Sequence, residues 1–177
     1  DGRALHPAIV VEELAACWHT EGVGKFAKGH YDTQYAEAFG KARRVHGDDW
    51  PPALKVNLIA GEYLSDTYLG HYHAKAQNLV RDLTAAYDAA LADVDVLAMP
   101  TSPLLAHEHR EDVSVADSAT RAVNMLGNTT PFNDTGHPAI SLPCGTARDL
   151  PVGLMLVGNR FDDAALLAAS ATVEKVR

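Results

Sequence analysis

NMLGNTTPFNDTGHPAISLPCG, residues 124–145, followed after a five-residue gap by PVGLMLVG, residues 151–158, is the stretch that decides the fold. Two short apolar runs stand out in it, Ala139 to Leu142 and Val152 to Val157. Their length and their flanking Gly and Pro residues predict strands rather than helices. Gly136 suits a positive φ just before the first run. Pro138 and Pro143 bracket it at ends where a missing donor is tolerated. Gly145 and Pro151 are expected in the connection that returns the chain.

A third strand is predicted upstream, at Val94, Val96, Leu97, Ala98 and Met99, stopped by Pro100-Thr101-Ser102-Pro103. All three runs are apolar on both faces, the pattern of strands covered by helices on either side. Interior strands need neighbours for their backbone groups, and three strands cannot all be interior. The neighbours are expected in polypeptide outside this chain.

Around these strands the sequence is helical. Pro7 is placed to open a helix carrying Val10, Val11, Leu14, Cys17 and Trp18, ended at Gly22-Val23-Gly24. A loop is expected over 23–31. Asp32-Thr33 caps a second helix with the stripe Tyr35, Ala38, Phe39, Ala42 and Val45, and Gly47 is expected to close it in the left-handed region. A third helix starts after Asp48-Asp49-Trp50-Pro51-Pro52. The clearest amphipathic pattern runs from Tyr72 to Leu91. A helix from about Asp117 to Leu126 and a closing one, with Asp162-Asp163 at its start and Lys175 and Arg177 at its end, complete the set. The expected fold class is α/β: about three strands of a mixed, helix-covered sheet with about six helices. Residues 1–92 are mainly helical, and 93–177 form the sheet and the closing helix.

The bulk properties narrow the partners. The 177 residues are 47 % apolar and 21 % charged, with a net charge of −8. Nucleic acid and anionic membranes select for clustered Lys and Arg, so neither is an expected partner. The adjacent basic pair Arg43-Arg44 is expected on a solvated helix face. No run of about 18 apolar residues or leader at Asp1 is visible, and Cys17 and Cys144 are read as reduced thiols in a cytoplasmic protein.

The stretch from Asn124 to Gly158 closely resembles the C-terminal part of the amidase signature family. Asp95-Val96-Leu97-Ala98-Met99-Pro100-Thr101 resembles the family's strand ending in Pro-Thr, and Phe161-Asp162-Asp163-Ala164 its lead into the closing helix. The resemblance is strong over 72–175 and weaker over 1–56. It implies that residues 1–177 are the C-terminal part of a single amidase domain. Lys75-Ala76-Gln77-Asn78, Pro131-Phe132-Asn133 and Gly136-His137-Pro138 look most like bacterial amidases acting on small aliphatic or aromatic amides.

The resemblance implies a serine nucleophile, a second serine in a cis peptide and a neutral lysine as base, with backbone N–H groups holding the oxyanion. The serines here are Ser65, Ser102, Ser114, Ser118, Ser141 and Ser170, and none has a serine neighbour or a Gly-Gly-Ser-Ser setting. No catalytic residue of the family carries over onto this chain. The missing N-terminal part of the enzyme is the expected partner, with a small amide as substrate and a homodimer as the assembly to test. No cofactor or metal is expected.

His71-x-His73 and His107-x-His109 read as surface histidines, because i and i+2 on a helix point apart and the second pair lies in the most polar run, His107 to Asp112. Ser141 reads as a buried hydroxyl bonding backbone, and Cys144 has no base-bearing motif beside it. Leu126, Thr130 and Phe132 are the candidate substrate-binding residues, with Trp18 as a fourth that is equally a core residue. Asn133 and the threonines are weighed against capping roles in an irregular loop. The function expected is hydrolysis of a carboxylic amide to acid and ammonia. The alternatives are a non-catalytic scaffold and the glutamine-hydrolysing component of an amidotransferase.

Overall fold

The computed structural model describes residues 2–25 and 29–175. Its α-helices are α1 Gly2–His19, α2 Thr33–Val45, α3 Pro52–Tyr68, α4 His71–Leu91, α5 Val115–Asn124, α6 Thr130–Thr135 and α7 Asp163–Lys175. Its strands are β1 Leu97–Pro100, β2 Ala139–Ala147 and β3 Leu150–Val157. The class is α/β, with seven α-helices among the described residues rather than six. Phe26 to Lys28, inside the expected loop, and Arg177, at the expected helix end, lie outside the described residues.

Several boundaries follow the local chemistry. The Asp32 side chain accepts from the Gln34 and Tyr35 amides, which caps α2. Pro51 and Pro52 enter α3 where the missing donor matters least. Leu69, in the left-handed region at φ 54°, ends that helix.

Other expectations give way. Pro7 does not open α1 but lies inside it. Its missing N–H removes one intrahelical bond there. The turn before it is held from outside, by Arg3 Nη2 donating to Asn128 Oδ1 at 3.1 Å and by His6 Nδ1 at 2.9 Å from Asp134. Gly47 is not left-handed. α2 ends at His46, whose N–H donates to the Ala42 carbonyl, and Gly47 starts a 3-10 turn. Arg44 is solvated as expected, at 56 % exposed, whereas Arg43 is 24 % exposed, and both guanidinium groups reach Glu21.

The chain divides into two compact units. One comprises Asp1–His6, Gln77–Glu111 and Arg121–Arg177, and the other Pro7–Ala76 and Asp112–Thr120. In the second, Glu12 is fully buried and salt-bridged to Lys25 Nζ at 3.0 Å. Its other carboxylate oxygen accepts the His73 amide at 3.3 Å, in the first turn of α4. A carboxylate suits the positive end of a helix.

The first unit holds the sheet, in the order β1-β3-β2 with both pairings antiparallel. Gly145 and Pro151 lie inside the strands, not in a connection, and a register shift between Pro143 and Thr146 absorbs the irregular residues. The turn is made by Arg148 and Asp149, at φ 52° and 62°. Two successive positive φ values match the right-handed twist of a hairpin.

The three strands are not equally covered. β3 is central, and Met155, Leu156 and Val157 are all buried. In the edge strand β1, half-buried Leu97 and Met99 alternate with exposed Ala98 and Pro100. The expectation of two covered faces therefore holds for β3 alone: alternate residues point to opposite sides, and only in β3 are successive residues buried, whereas β1 and β2 leave alternate positions exposed.

Candidate functional site

Register assigns each strand residue to a face. Met99, Met155 and Ser141 lie in one row across the sheet, and Leu97, Val157 and Ala139 in the next. On this face Phe132 packs with Met155 and Val157, and Tyr87, Leu97 and Met99 close around them. The opposite face buries Leu142, Leu156 and Leu166, joined by Ile140, Leu154 and Val173. α7 thus covers one side, while α4 and α6 supply the other.

The segment that places Phe132 was expected to be irregular. It is instead the short helix α6, with Pro131 in its first turn and Gly136, at φ 74°, as its left-handed cap. The 129–132 stretch is held by the Leu126 carbonyl, which accepts from the Thr129 and Thr130 amides at 3.0 Å each and from the Thr129 hydroxyl at 3.1 Å. Thr130 and Phe132 are buried, whereas Leu126 is 44 % exposed.

Beside Phe132 the sheet face opens into a cavity of about 300 Å³. Phe132, Met155 and Ala139 form its apolar walls, and Ile140, whose side chain packs on the opposite face, borders it between Ala139 and Ser141. Thr101, Ser141, Thr129, Asn133 and His137 supply the polar part. An apolar recess with a few converging polar groups is the usual make-up of a small-molecule site. Of the expected site residues, Phe132 lines this cavity and Leu126 and Thr130 stand in the turn leading to it. Trp18 belongs to the other unit, where its ring packs edge-on against Phe39 and Trp50 at 5.2 and 4.9 Å.

Ser141 differs from its expected role. It is exposed, and its hydroxyl lies 2.6 Å from that of Thr101. His137 is buried and engaged at both nitrogens. Nε2 lies 3.2 Å from Asp88 Oδ1, a carboxylate oxygen that can only accept, and Nδ1 lies 2.8 Å from the Thr135 hydroxyl. Tyr87 packs against both Phe132 and His137, and burial pushes its phenol up. Arg160 grips Asp88 through two bonds, Nη2–Oδ2 at 2.7 Å and Nε–Oδ1 at 3.2 Å. The Arg160 hydrogen bond lowers the Asp88 carboxyl below its ordinary value against some desolvation, and His137 adds to the effect.

Elsewhere the chemistry is quiet. Cys144 is exposed and Cys17 is partly buried, and burial raises the Cys17 thiol, away from the nucleophilic thiolate. His71, His107 and His109 are exposed, but the His73 ring is largely covered, with Nε2 3.8 Å from Glu13. Among the described residues no helix is long and apolar enough to cross a membrane.

Reading the sequence alone does not find Thr101, Ser141, His137, Asp88 and Arg160 as a group. The available signal is the period of two in β2, which aims Ala139 and Ser141 at the same side as the Phe132 cluster. The pairing partners that bring Thr101 and Ser141 together are not written in either segment alone.

The amidase family model matches residues 6–167. The chain belongs to the amidase signature family. It is 38 % identical to the enantioselective amidase of Rhodococcus rhodochrous over 94 % of its own length but only 33 % of that protein's. A protein from the nthA 5′ region of Rhodococcus erythropolis is 41 % identical, with 88 % of this chain and 79 % of that one aligned. A glutamyl-tRNA(Gln) amidotransferase component from Halobacterium salinarum is 35 % identical over 88 % of this chain and 36 % of its own. The crystal structure of an amidase superposes with a TM-score of 0.60 at 25 % identity, covering 94 % of this chain and 36 % of that one. This amidase-family chain thus spans about a third of the enantioselective amidase and of the amidotransferase component.

Proposed function

We propose that this chain supplies the acyl-binding wall of an enzyme that hydrolyses an uncharged carboxylic amide to the acid and ammonia. The observation that carries this reading is the cavity beside Phe132, whose lining among the described residues includes no Lys, Arg, Asp or Glu. An uncharged amide leaves no ionic group unpaired against such a lining, whereas glutamine brings a carboxylate and an ammonium that would each need a partner. Phe132 is the wall itself. Leu126 and Thr130, just ahead of it in the chain, are assigned to substrate contact as well.

The nucleophile is assigned to polypeptide outside these 177 residues. Thr101 and Ser141 bond each other, and His137 has no free nitrogen to act as a base on either. A serine from the family's paired-serine segment attacks the amide carbonyl, ammonia leaves, and water releases the acid from the acyl-enzyme. Backbone N–H groups hold the oxyanion while the bond breaks. The free thiols suit a cytoplasmic setting.

The test is ammonia release from acetamide and benzamide. The full-length protein is expected to turn them over and the 177-residue chain is not. Turnover by the chain alone, abolished by replacing one of its own serines, would overturn the assignment of the nucleophile. The amidotransferase relatives keep a second reading open, a glutaminase serving a partner. Strong preference of the full-length protein for glutamine over both simple amides selects it.

A further inference from the structure

Thr101, Gly153 and Ser141 meet on the cavity face of the sheet, Thr101 directly after β1, Gly153 in β3 and Ser141 in β2. The Thr101 amide donates to the Gly153 carbonyl at 2.9 Å, which extends the β1–β3 pairing by one residue. The two hydroxyl oxygens lie 2.6 Å apart over Gly153. A Cβ there would come within 2.7 Å of Thr101 Oγ1 and 2.8 Å of Ser141 Oγ, so the glycine is what lets the pair form. One hydroxyl gives its hydrogen to the other. The pair therefore turns one O–H donor and several lone pairs outward.

Asn133 adds a carboxamide on the same cavity, exposed and without a side-chain hydrogen bond among the described residues. His137 contributes no free nitrogen, because Asp88 and Thr135 occupy both. The unspent polar capacity of the cavity is thus mixed donor and acceptor, and uncharged. It stands among apolar walls, and among the described residues no base is bonded to either hydroxyl. The reacting carbonyl does not belong here, so these groups face a part of the substrate that does not react.

We infer that Thr101, Ser141 and Asn133 form a subsite for an uncharged hydrogen-bonding substituent, a hydroxyl or a second carboxamide, on the acyl part of the amide substrate. The inference rests on the cavity being the acyl site. A plain alkyl group would strand the donors without partners, which is how a polar subsite rejects the analogue that lacks the matching group. A carboxylate offers acceptors only, and would meet lone pairs on two hydroxyls sharing one outward hydrogen.

The test compares 4-hydroxybutyramide with pentanamide, which have equal numbers of heavy atoms, on the full-length protein. The hydroxy-amide is expected to be favoured by about tenfold in kcat/KM, the upper range of one neutral hydrogen bond. Ser141→Ala and Thr101→Val should bring that ratio towards one, while Thr101→Ser retains it. Asn133→Ala, at an exposed position, serves if either variant fails to melt as a folded protein. Calorimetric binding of the same two amides reads the ratio if no ammonia is released. A wild-type ratio of one, or a ratio unmoved by every variant, overturns the subsite. Ammonia release from either amide would leave the amidase reading standing in that case.

Discussion

The two faces of the sheet are built from the same three strands and serve different ends. On one, Leu142, Leu156 and Leu166 lock together under α7, and the neighbours that join them are apolar. On the other, Phe132, Met155 and Val157 make an equally buried centre, but a cavity opens beside Phe132 and Met155. Packing to full density is what stability asks of a face, and a binding recess is a place where that packing is interrupted. Here the Thr101 and Ser141 hydroxyls close over Gly153 and border the recess.

The largest expected effect comes from Phe132, which serves both purposes. Phe132→Ala in the full-length protein should cost about 3–5 kcal/mol of stability and also change the ranking of acetamide, butyramide and benzamide. Thermal unfolding and kcat/KM measured together test this. A lower melting temperature with the ranking intact would make Phe132 a core residue only. Leu156→Ala on the closed face should cost about 2–5 kcal/mol and leave the ranking alone. If it moved the ranking too, the two faces would not be functionally distinct.

Leu126 sharpens the contrast from the surface. Being 44 % exposed, Leu126→Ala should alter stability by no more than about 0.5 kcal/mol. If its side chain touches the acyl group, preference among the same amides shifts by about 10- to 200-fold per methylene-sized change. An unchanged ranking removes Leu126 from the site.

The smallest effect is electrostatic, at the edge of the cavity face. Asp88 has its carboxyl lowered from an ordinary value of 3.8, chiefly by Arg160. A depressed carboxylate contributes stability that is fully present above its unfolded value and lost as pH falls through the folded one. Melting temperature should therefore decline below about pH 4 partly through this group, and Asp88→Asn should flatten that part of the curve. The side chain is 41 % exposed, so solvent screening keeps the effect modest. An Asp88→Asn profile parallel to the wild type would show the Arg160 pairing to be energetically idle.

Much of this architecture is legible in the sequence. The apolar runs locate β1, β2 and β3, Asp32 marks the start of α2, and Gly136 marks the left-handed turn before β2. Each of those signals is local, a side chain acting on its own backbone or a period set by one element. The departures share a different cause. Proline alone predicts a helix start at Pro7, but contacts from Asn128 and Asp134 extend the helix ahead of it. Gly145 and Pro151 predict a turn for the same local reason, yet a bulge accommodates them and the turn falls at Arg148-Asp149.

Sequence by itself determined the family, the strand and helix inventory, and Phe132 as a residue of interest, because motif spacing and hydrophobic period act over a few residues. Only the tertiary structure decided that Ser141 faces Thr101, residues 40 apart in the chain, and that Asp88 links His137 to Arg160. It also decided which strand is central. Those outcomes depend on strand order and register, and register is set by how β1 and β2 pair with β3 across the sheet. A one-residue slip would turn Ser141 to the closed face and Leu142 into the cavity, with no change in either segment's own pattern.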